Sequence, residues 1–221
     1  MKLFTSVNPD QDKYRRLAGS IITLEGLIGV GKSTLGLLLE KYLNCIGINT
    51  KFFPEYICEP LLNQYIGNMD KYAYSFQIIM LQKRLDIYQR AHEYALGGGI
   101  AIVDRSLIGD YTFAKMQHKN GSISDSEMDV YTQIMKNEKT IEPTYILYLD
   151  CQPQTAFTRM ISRGNQGEQD GYKLEYFEDL KRIYFEVIED SDHTIHIIDW
   201  NQNQKVEQDQ VKYVLDQILL Y

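Results

Sequence analysis

Positions 26–33 read GLIGVGKS, which matches the phosphate-binding pattern G-x-x-x-x-G-K-[ST], and Thr34 follows. Glycines let the backbone turn sharply and bring consecutive N–H groups around an anion. In such a loop Lys32 would place its charge on the β- and γ-phosphates of a nucleotide, and the Ser33 hydroxyl would bind Mg²⁺. The predicted phosphate-binding residues of this loop are Gly26, Gly29, Gly31, Lys32, Ser33 and Thr34.

The residues on either side of this loop make the motif match more specific. Residues 20–25 form a short β-branched, apolar run that is typical of a buried strand. After the loop, apolar side chains recur at helical spacing from Leu35 to Ile46, and Gly47 supplies a stop signal. A glycine-rich turn without a ligand would not need this order of strand, loop and helix. The sequence therefore predicts that the chain binds a nucleoside triphosphate.

Composition excludes several other kinds of partner. The 221 residues include 23 Lys and Arg and 30 Asp and Glu, a net charge of −7, without a dense basic run, so we expect no nucleic acid partner. No apolar stretch reaches the roughly 18 residues of a spanning helix, so we expect no membrane partner. Cys45, Cys58 and Cys151 lack metal-ligand spacing, which favours a reducing, cytoplasmic compartment. We predict a polar tail at 1–18 and one domain at 19–221.

Short apolar runs alternate with helical stretches along the chain. This alternation predicts an α/β fold in which a five-stranded parallel sheet is covered by helices on both faces. In open sheets of this kind the ligand lies beyond the carboxyl ends of the strands, so residues that follow a strand are the first candidates for chemistry. The predicted strands are residues 20–25, 48–53, 100–103, 145–149 and 195–198.

Two acidic residues follow the second predicted strand. Glu55 comes directly after Pro54, and Glu59 precedes Pro60. Either carboxylate could remove a proton from an attacking hydroxyl, a role that needs a base within hydrogen-bonding reach. Either could equally be a solvated acid at the start of a helix, where negative charge is favoured.

A long helix is predicted from Tyr72 to Leu96. Gln77, Met80 and Arg84 share one of its faces, because they are spaced three or four residues apart. The Gln amide offers both a donor and an acceptor, which suits bidentate pairing with a nucleobase edge. The alternative is a partly exposed helix whose polar ends reach solvent.

The third predicted strand ends in Asp104-Arg105-Ser106, with Asp110 further along. An acid at a strand tip opposite the phosphate-binding loop is the usual place for a carboxylate that organises Mg²⁺, so Ser33 and Asp104 are the predicted metal residues. Arg105 would stabilise charge on the reacting phosphoryl group. The alternative is an Asp–Arg pair that only caps a buried strand.

Arg159 and Arg163 lie on one side of a helix after the fourth strand, and a polar, glycine-rich loop is predicted at 164–171. This combination predicts a lid at about residues 159–171 that closes over the phosphates and excludes water. The alternative is an ordinary surface loop after an exposed basic helix. Helical spacing at 174–188 indicates either core packing or a dimer face.

Taken in order, these segments resemble the deoxyribonucleoside kinase family, which contains deoxycytidine kinases, deoxyguanosine kinases and the insect multisubstrate enzyme. The similarity covers roughly residues 20–202. It is carried by the phosphate-binding loop, Pro54-Glu55, Phe76-Gln77, Asp104-Arg105-Ser106 with Asp110, and Arg159 to Glu168. The resemblance implies a nucleoside kinase-like P-loop fold, a homodimer, and Mg²⁺-dependent phosphoryl transfer from ATP to the 5′-hydroxyl of a deoxyribonucleoside.

The resemblance also implies roles for residues around the acceptor. Glu55 matches the family's general base, and Gln77 matches the residue that pairs with the nucleobase. Arg84 and Asp110 match a polar pair that discriminates among nucleobases. Met80 is bulkier than its counterpart in the cytidine enzyme. These matches imply a substrate pocket, and they favour a deoxypurine or deoxycytidine while leaving the preference open.

Further matches concern the sugar and the phosphates. Tyr65 resembles the tyrosine that contacts the sugar 3′-hydroxyl, and Glu168 resembles a lid acid that also binds the sugar. Arg105 matches the family's arginine beside the reacting groups, and together with Glu55 and Lys32 of the phosphate-binding loop it forms the predicted catalytic set. Arg159 and Arg163 match lid arginines on the donor phosphates. The implied site is therefore completed by Tyr65, Glu168, Arg105, Arg159 and Arg163, in addition to Lys32.

The chain departs from the family pattern after the second strand. Tyr56 replaces the proline that often follows the general base, and Glu59-Pro60 offers a competing alignment. Pro60 stands where several members have an aromatic substrate contact, and Asn165 where some have another lid arginine. Glu59 therefore stays open as an alternative to Glu55.

Two other functions share parts of this pattern. A nucleoside monophosphate kinase of the thymidylate type has a similar phosphate-binding loop and Asp-Arg pair, but it would need arginines for an acceptor phosphate where this chain has Glu55 and Tyr56. A nucleotide-dependent switch would use Asn-Lys-x-Asp and Asp-x-x-Gly motifs, and the sequence contains neither.

Overall fold

The computed structural model describes residues 9–137, 142–201 and 208–220. The strands in these ranges are β1 (Ile21–Glu25), β2 (Thr50–Phe53), β3 (Ile100–Asp104), β4 (Tyr145–Asp150) and β5 (Ile195–Asp199). The helices are α1 (Pro9–Tyr14), α2 (Lys32–Cys45), α3 (Glu59–Gly67), α4 (Met69–Leu96), α5 (Leu107–Lys119), α6 (Asp125–Asn137), α7 (Pro153–Arg163), α8 (Gln166–Gly171), α9 (Leu174–Glu189) and α10 (Gln208–Leu219). A 3₁₀ turn, Arg15–Leu17, follows α1.

The strands form one parallel sheet in the order β2-β3-β1-β4-β5. β1 lies at the centre, where Thr23 is paired with Val103 of β3 and with Ile146 of β4. β1 and β3 are buried along their whole length, which explains why their sequences are continuous rather than alternating apolar runs. The predicted α/β fold and its five strands are confirmed, with strand ends that differ by one or two residues.

Helices cover both faces of the sheet. Ile102 packs in a cluster with α2, α9 and α10, whereas Val103 packs in a second cluster with α4, because successive side chains of a strand point to opposite faces. Phe177, Leu180 and Tyr184 of α9 are fully buried, so the core-packing interpretation of this helix is confirmed. None of the described helices is both long enough and apolar enough to cross a bilayer.

The segment before β1 differs from the prediction. We expected a polar tail over residues 1–18, but Tyr14 is 1% exposed and Leu17 is 0% exposed, and both join the main core. The Tyr14 hydroxyl donates to Asp216 of α10 at 2.6 Å. The predicted tail is therefore wrong for its second half, because two apolar side chains three residues apart anchor it. Residues 1–8 lie outside the described residues.

The predicted glycine-rich loop at 164–171 is also wrong in form. Gly164 ends α7 in the left-handed region, with φ 81°, and the next residues form helix α8. The side chain of Asn165 accepts the backbone N–H of Glu168 at 3.2 Å and so caps this helix. Glu168 is therefore held in a capped helical turn, in a segment for which composition alone indicated a loop.

Candidate active site

A cavity of about 900 Å³ lies at the carboxyl edge of the sheet. It is lined by the phosphate-binding loop, the segment after β2, helix α4, the segment after β3, and helices α7 and α8. The predicted residues on its wall are Gly29, Gly31, Lys32, Ser33, Thr34, Glu55, Tyr65, Gln77, Met80, Arg84, Asp104, Arg105, Arg159, Arg163 and Glu168. Gly26 and Asp110 lie behind this wall, and both support residues that line it.

The phosphate-binding loop runs between β1 and α2 in a conformation that needs glycine. Gly29 has φ 74° and Gly31 has φ 110°, both in the left-handed region. A Cβ atom on Gly29 would lie 2.7 Å from the backbone oxygen of Ala156, so α7 leaves no room for a side chain there. The loop and α7 therefore fit together only through this glycine.

Lys32 begins α2 and is buried at the base of the loop. Its Nζ donates to the backbone oxygens of Gly26 at 3.3 Å and Leu27 at 3.0 Å. Burial lowers the pKa of Lys32 to about 8, with repulsion from Arg105 in the same direction, while nearby acids act in the opposite sense. The ammonium group is therefore held at the cavity with weakened basicity.

Ser33 and Asp104 meet across the sheet edge. The Ser33 hydroxyl donates to Asp104 Oδ2 at 2.5 Å. Asp104 is 3% exposed, and its Oδ1 is buried without a hydrogen-bond partner among the described residues. Mg²⁺ prefers oxygen ligands and commonly uses one carboxylate together with substrate phosphates and water. The donor set therefore fits Mg²⁺, although the described residues contain no cluster of three acidic, His or Cys ligands.

Glu55 lies between two arginines on the cavity wall. Its Oε1 accepts Arg84 Nη2 at 2.9 Å, and its Oε2 accepts Arg105 Nε at 3.2 Å. Burial raises the pKa of Glu55, but Arg105, Arg84 and Lys32 together outweigh burial and lower it to about 2. Glu59, in contrast, is exposed at the start of α3 and does not line the cavity.

Arg105 has an unusual backbone conformation. Its φ of 70° lies in the left-handed region, where residues other than glycine are rare. Its Nη1 donates to the Gly26 oxygen at 2.9 Å and to the Tyr184 hydroxyl at 2.6 Å, and its guanidinium lies 4.8 Å from the Phe113 ring centre. The alternative of an Asp–Arg pair that only caps the strand is wrong, because Arg105 pairs with Glu55 and not with Asp104.

Asp110 is completely buried and organises the neighbouring part of the cavity. It accepts Gln77 Nε2 at Oδ1, at 2.7 Å, and at its backbone oxygen, at 3.1 Å. Its Oδ2 accepts Arg84 Nε at 2.8 Å, and the Tyr131 hydroxyl donates to Oδ1 at 2.8 Å. Both donors of the Gln77 amide are therefore used, and only its Oε1 is left to accept from a ligand. The bidentate pairing expected of this amide is not available in this arrangement.

The alternative of a partly exposed helix α4 is wrong at the two polar positions. Gln77 and Arg84 are each 5% exposed, and Met80 between them is 9% exposed. All three line the cavity. The polar stripe on α4 therefore faces the site and not the solvent.

Tyr65 closes one side of the cavity with other aromatic side chains. Its ring stacks on Phe76 with ring centres 4.5 Å apart, and its hydroxyl lies 3.4 Å from that of Tyr176. Gln117 Nε2 also donates to the Tyr65 hydroxyl. Tyr172 and Tyr176 line the same cavity, so two tyrosines that the sequence did not single out belong to its wall.

Of the predicted lid residues, Arg159 contacts the phosphate-binding loop directly, whereas Arg163 and Glu168 line the cavity. Arg159 Nη1 donates to the backbone oxygens of Val30 at 3.0 Å and Trp200 at 3.3 Å. Arg163 Nη2 forms an ion pair with Glu168 Oε2 at 2.5 Å. Trp200, after β5, also lines the cavity and was not predicted from the sequence. The position of a residue directly after a strand was the signal that could have identified it.

The chain is similar to several known proteins. The profile of the deoxynucleoside kinase family matches residues 22–219. The chain is 29% identical over 215 residues to a deoxyadenosine kinase of Dictyostelium discoideum, covering 96% of this chain and 84% of that protein. It is 30% identical over 175 residues to a deoxyguanosine kinase of Lactobacillus johnsonii, covering 75% of each.

The fold is similar to that of a solved deoxyadenosine kinase from M. mycoides with bound dCMP and dCDP. The TM-score is 0.75 at 24% identity, covering 91% of this chain and 100% of that chain. These comparisons do not favour a thymidylate-type kinase or a nucleotide-dependent switch. The chain belongs to the deoxynucleoside kinase family, and it is an enzyme that phosphorylates deoxynucleosides.

Proposed function

We propose that this enzyme transfers the γ-phosphoryl group of ATP to the 5′-hydroxyl of a deoxyribonucleoside, with Glu55 as the general base. One observation carries this proposal. A single cavity brings the phosphate-binding loop together with a carboxylate that Arg84 and Arg105 hold in its ionised form. An ionised carboxylate suits an uncharged alcohol as acceptor, whereas it would repel the phosphate of a nucleoside monophosphate.

Glu55 acts late in the transfer. With a pKa near 2 it is a weak base, but it is ionised at neutral pH and ready to accept a proton. Phosphoryl transfer passes through a loose transition state in which the attacking oxygen has formed little bond. The hydroxyl therefore becomes acidic as its bond to phosphorus forms, and its proton then passes to Glu55.

The rest of the catalysis is positioning and charge neutralisation. Lys32 and the N–H groups of its loop hold the donor phosphates, and Arg105 stabilises charge on the transferred group. Ser33 and Asp104 would hold Mg²⁺, which supplies further neutralisation of the β- and γ-phosphates when bound. Arg159 and Arg163 belong to the proposed lid over the phosphates.

The polar end of the cavity favours a nucleobase that carries an amino group. Gln77 presents an acceptor, and Arg84 presents donors next to it. An amino group donates to Gln77 while a ring nitrogen or carbonyl accepts from Arg84, as adenine, guanine and cytosine allow. The relatives named deoxyadenosine and deoxyguanosine kinase support a purine deoxynucleoside. Tyr65 and Glu168 line the same cavity, and the family resemblance supports contacts of both side chains with the sugar.

Three further properties are part of the proposal. The family resemblance supports a homodimer, which sedimentation of the purified chain would measure. Cys45, Cys58 and Cys151 are free thiols, which supports a reducing, cytoplasmic compartment. The oxygen pair at Ser33 and Asp104 supports a dependence on Mg²⁺, and chelation by excess EDTA should abolish turnover.

A panel of acceptors tests the proposed reaction. The four deoxynucleosides and their 5′-monophosphates are each assayed with ATP and Mg²⁺ by following ADP release. We expect turnover with deoxyadenosine, deoxyguanosine or deoxycytidine and no turnover above background with any monophosphate. A preference for thymidine monophosphate would identify a thymidylate-type kinase, and ATP hydrolysis that does not depend on an acceptor would identify a switch.

A further inference from the structure

Glu25, the last residue of β1, is a carboxylate that is only 1% exposed. Its Oε1 accepts the backbone N–H of Ser106 at 2.5 Å and that of Gly109 at 3.3 Å. These N–H groups belong to the start of α5, where a helix cannot satisfy its own donors. A side chain of the central strand therefore fixes the segment that follows Arg105.

Tyr184 of α9 connects this carboxylate to Arg105. Its hydroxyl donates to Glu25 Oε2 at 3.0 Å and accepts Arg105 Nη1 at 2.6 Å. Burial raises the pKa of Tyr184 well above its usual value, so the hydroxyl keeps the proton that it donates to Glu25. Because Arg105 also donates to Glu55, a hydrogen-bonded series runs from Glu25 through Tyr184 and Arg105 to Glu55.

The backbone around this series is adapted to it. Arg105 has φ 70°, which is unfavourable for a residue with a side chain and persists only where its surroundings determine it. A Cβ atom on Gly109 would lie 2.4 Å from Glu25 Oε2 and 3.0 Å from the Tyr184 hydroxyl. Glycine at this position is therefore required for the close approach of α5 to Glu25.

We propose that Glu25 and Tyr184 are positioning residues that hold the Arg105 guanidinium beside Glu55 on the cavity wall. This inference rests on the proposed role of Arg105 in phosphoryl transfer. Without the Tyr184 hydroxyl, Nη1 keeps only the Gly26 oxygen as a hydrogen-bond partner among the described residues. The contacts with Glu55 and Phe113 remain, but the guanidinium is held less firmly at Nη1, and a misplacement of about 1 Å is enough to lower turnover strongly.

Tyr184→Phe tests this role, because it removes the hydroxyl and keeps the ring. Tyr148→Phe is the matched control, since its ring centre lies 5.2 Å from that of Tyr184 and its buried hydroxyl has no hydrogen-bond partner among the described residues. We expect Tyr184→Phe to lower kcat about tenfold, with the KM values for nucleoside and ATP within about twofold of wild type. Tyr148→Phe should keep kcat within about twofold of wild type.

A second experiment, in which Tyr184→Phe is combined with Arg105→Ala, separates a positioning role of Tyr184 from simple destabilisation of the fold. In Arg105→Ala, measured by single-turnover assays at high enzyme concentration, adding Tyr184→Phe should change the rate by less than about twofold, because the group that it positions is gone. Gly109→Ala should reproduce the selective loss of kcat, since its methyl group displaces the Glu25 carboxylate.

The outcomes distinguish the inference from the function on which it rests. Wild-type kcat in Tyr184→Phe, together with a large loss in Arg105→Ala, overturns the inference alone. An equal loss from Tyr184→Phe with and without the Arg105 side chain also overturns it, because the effect would then be structural. Wild-type turnover in Arg105→Ala contradicts the proposed role of Arg105 and overturns the inference with it.

Discussion

Lys32 illustrates how the surroundings of one side chain set its chemistry. Burial lowers its pKa to about 8, so its positive charge is lost as the pH rises through that value. We predict that kcat/KM for ATP, which reports on the free enzyme, falls about tenfold per pH unit above about pH 8. The kcat of the saturated enzyme should persist to higher pH, because bound phosphates favour the charged amine.

Lys32→Arg is the control for this profile. A guanidinium stays charged throughout the measured range, so the variant should have lower activity but no alkaline limb near pH 8. A wild-type kcat/KM that is flat between about pH 7 and 10 would contradict the assignment of the limb to Lys32.

Single residues were predictable where a local pattern places them. Gln77 and Arg84 follow from helical spacing on α4, and Asp104 and Arg105 follow from their position after a strand. Tyr184 could not be found in this way, because its partner Glu25 is 159 residues distant and its own spacing is that of an ordinary core residue. Its function depends on a tertiary contact that no local pattern encodes.

At the scale of elements, the phosphate-binding loop and α7 are fitted to each other through Gly29. We predict that Gly29→Ala lowers the free energy of unfolding by about 1–3 kcal/mol, because the residue has φ 74° and its Cβ would lie 2.7 Å from a backbone oxygen. The KM for ATP should rise as well, since the displaced loop no longer surrounds the phosphates. Chemical denaturation and steady-state kinetics measure the two effects.

Gly67→Ala is the control for this substitution. Gly67 ends α3, and a Cβ there would meet nothing within 4 Å. Alanine should leave ATP binding unchanged and alter stability by no more than about 1 kcal/mol, in the stabilising direction expected within a helix. Equal losses in both variants would contradict the close fit between the loop and α7.

The elements themselves differ in how well their sequences predict them. Continuous apolar runs mark the five strands, and a long helical pattern marks α4, so these elements were predicted within one to three residues. Helices α1 and α8 are six residues each, too short for a periodic pattern to emerge. Their formation depends on contacts with the rest of the domain, such as the burial of Tyr14 and Glu168.

At the scale of the whole molecule, the segment before β1 joins the domain core. Leu17 is 0% exposed, and Lys212 of α10 pairs with Asp10 at 2.7 Å. We predict that Leu17→Ala lowers the free energy of unfolding by about 2–5 kcal/mol, because it leaves a cavity in the core. Leu96→Ala, at a side chain that is 75% exposed, should change it by less than about 0.5 kcal/mol.

Denaturant unfolding measures this difference. Similar stability in the two variants would contradict the packing of residues 14–17 against the core, and it would restore the polar tail that the sequence indicated. The contrast also explains the wrong prediction. A mostly polar segment can still be anchored by two apolar side chains. The average composition of residues 1–18 is polar, so it did not reveal the contribution of Tyr14 and Leu17.

The whole account depends on Glu55 as the group that receives the proton of the 5′-hydroxyl. The most direct measurement compares the turnover of Glu55→Gln and Glu59→Gln with ATP and a deoxynucleoside. We predict that Glu55→Gln lowers kcat by about 10²- to 10⁴-fold, while Glu59→Gln, at an exposed side chain outside the cavity, keeps the wild-type rate. Full activity in Glu55→Gln combined with loss of activity in Glu59→Gln would contradict the account.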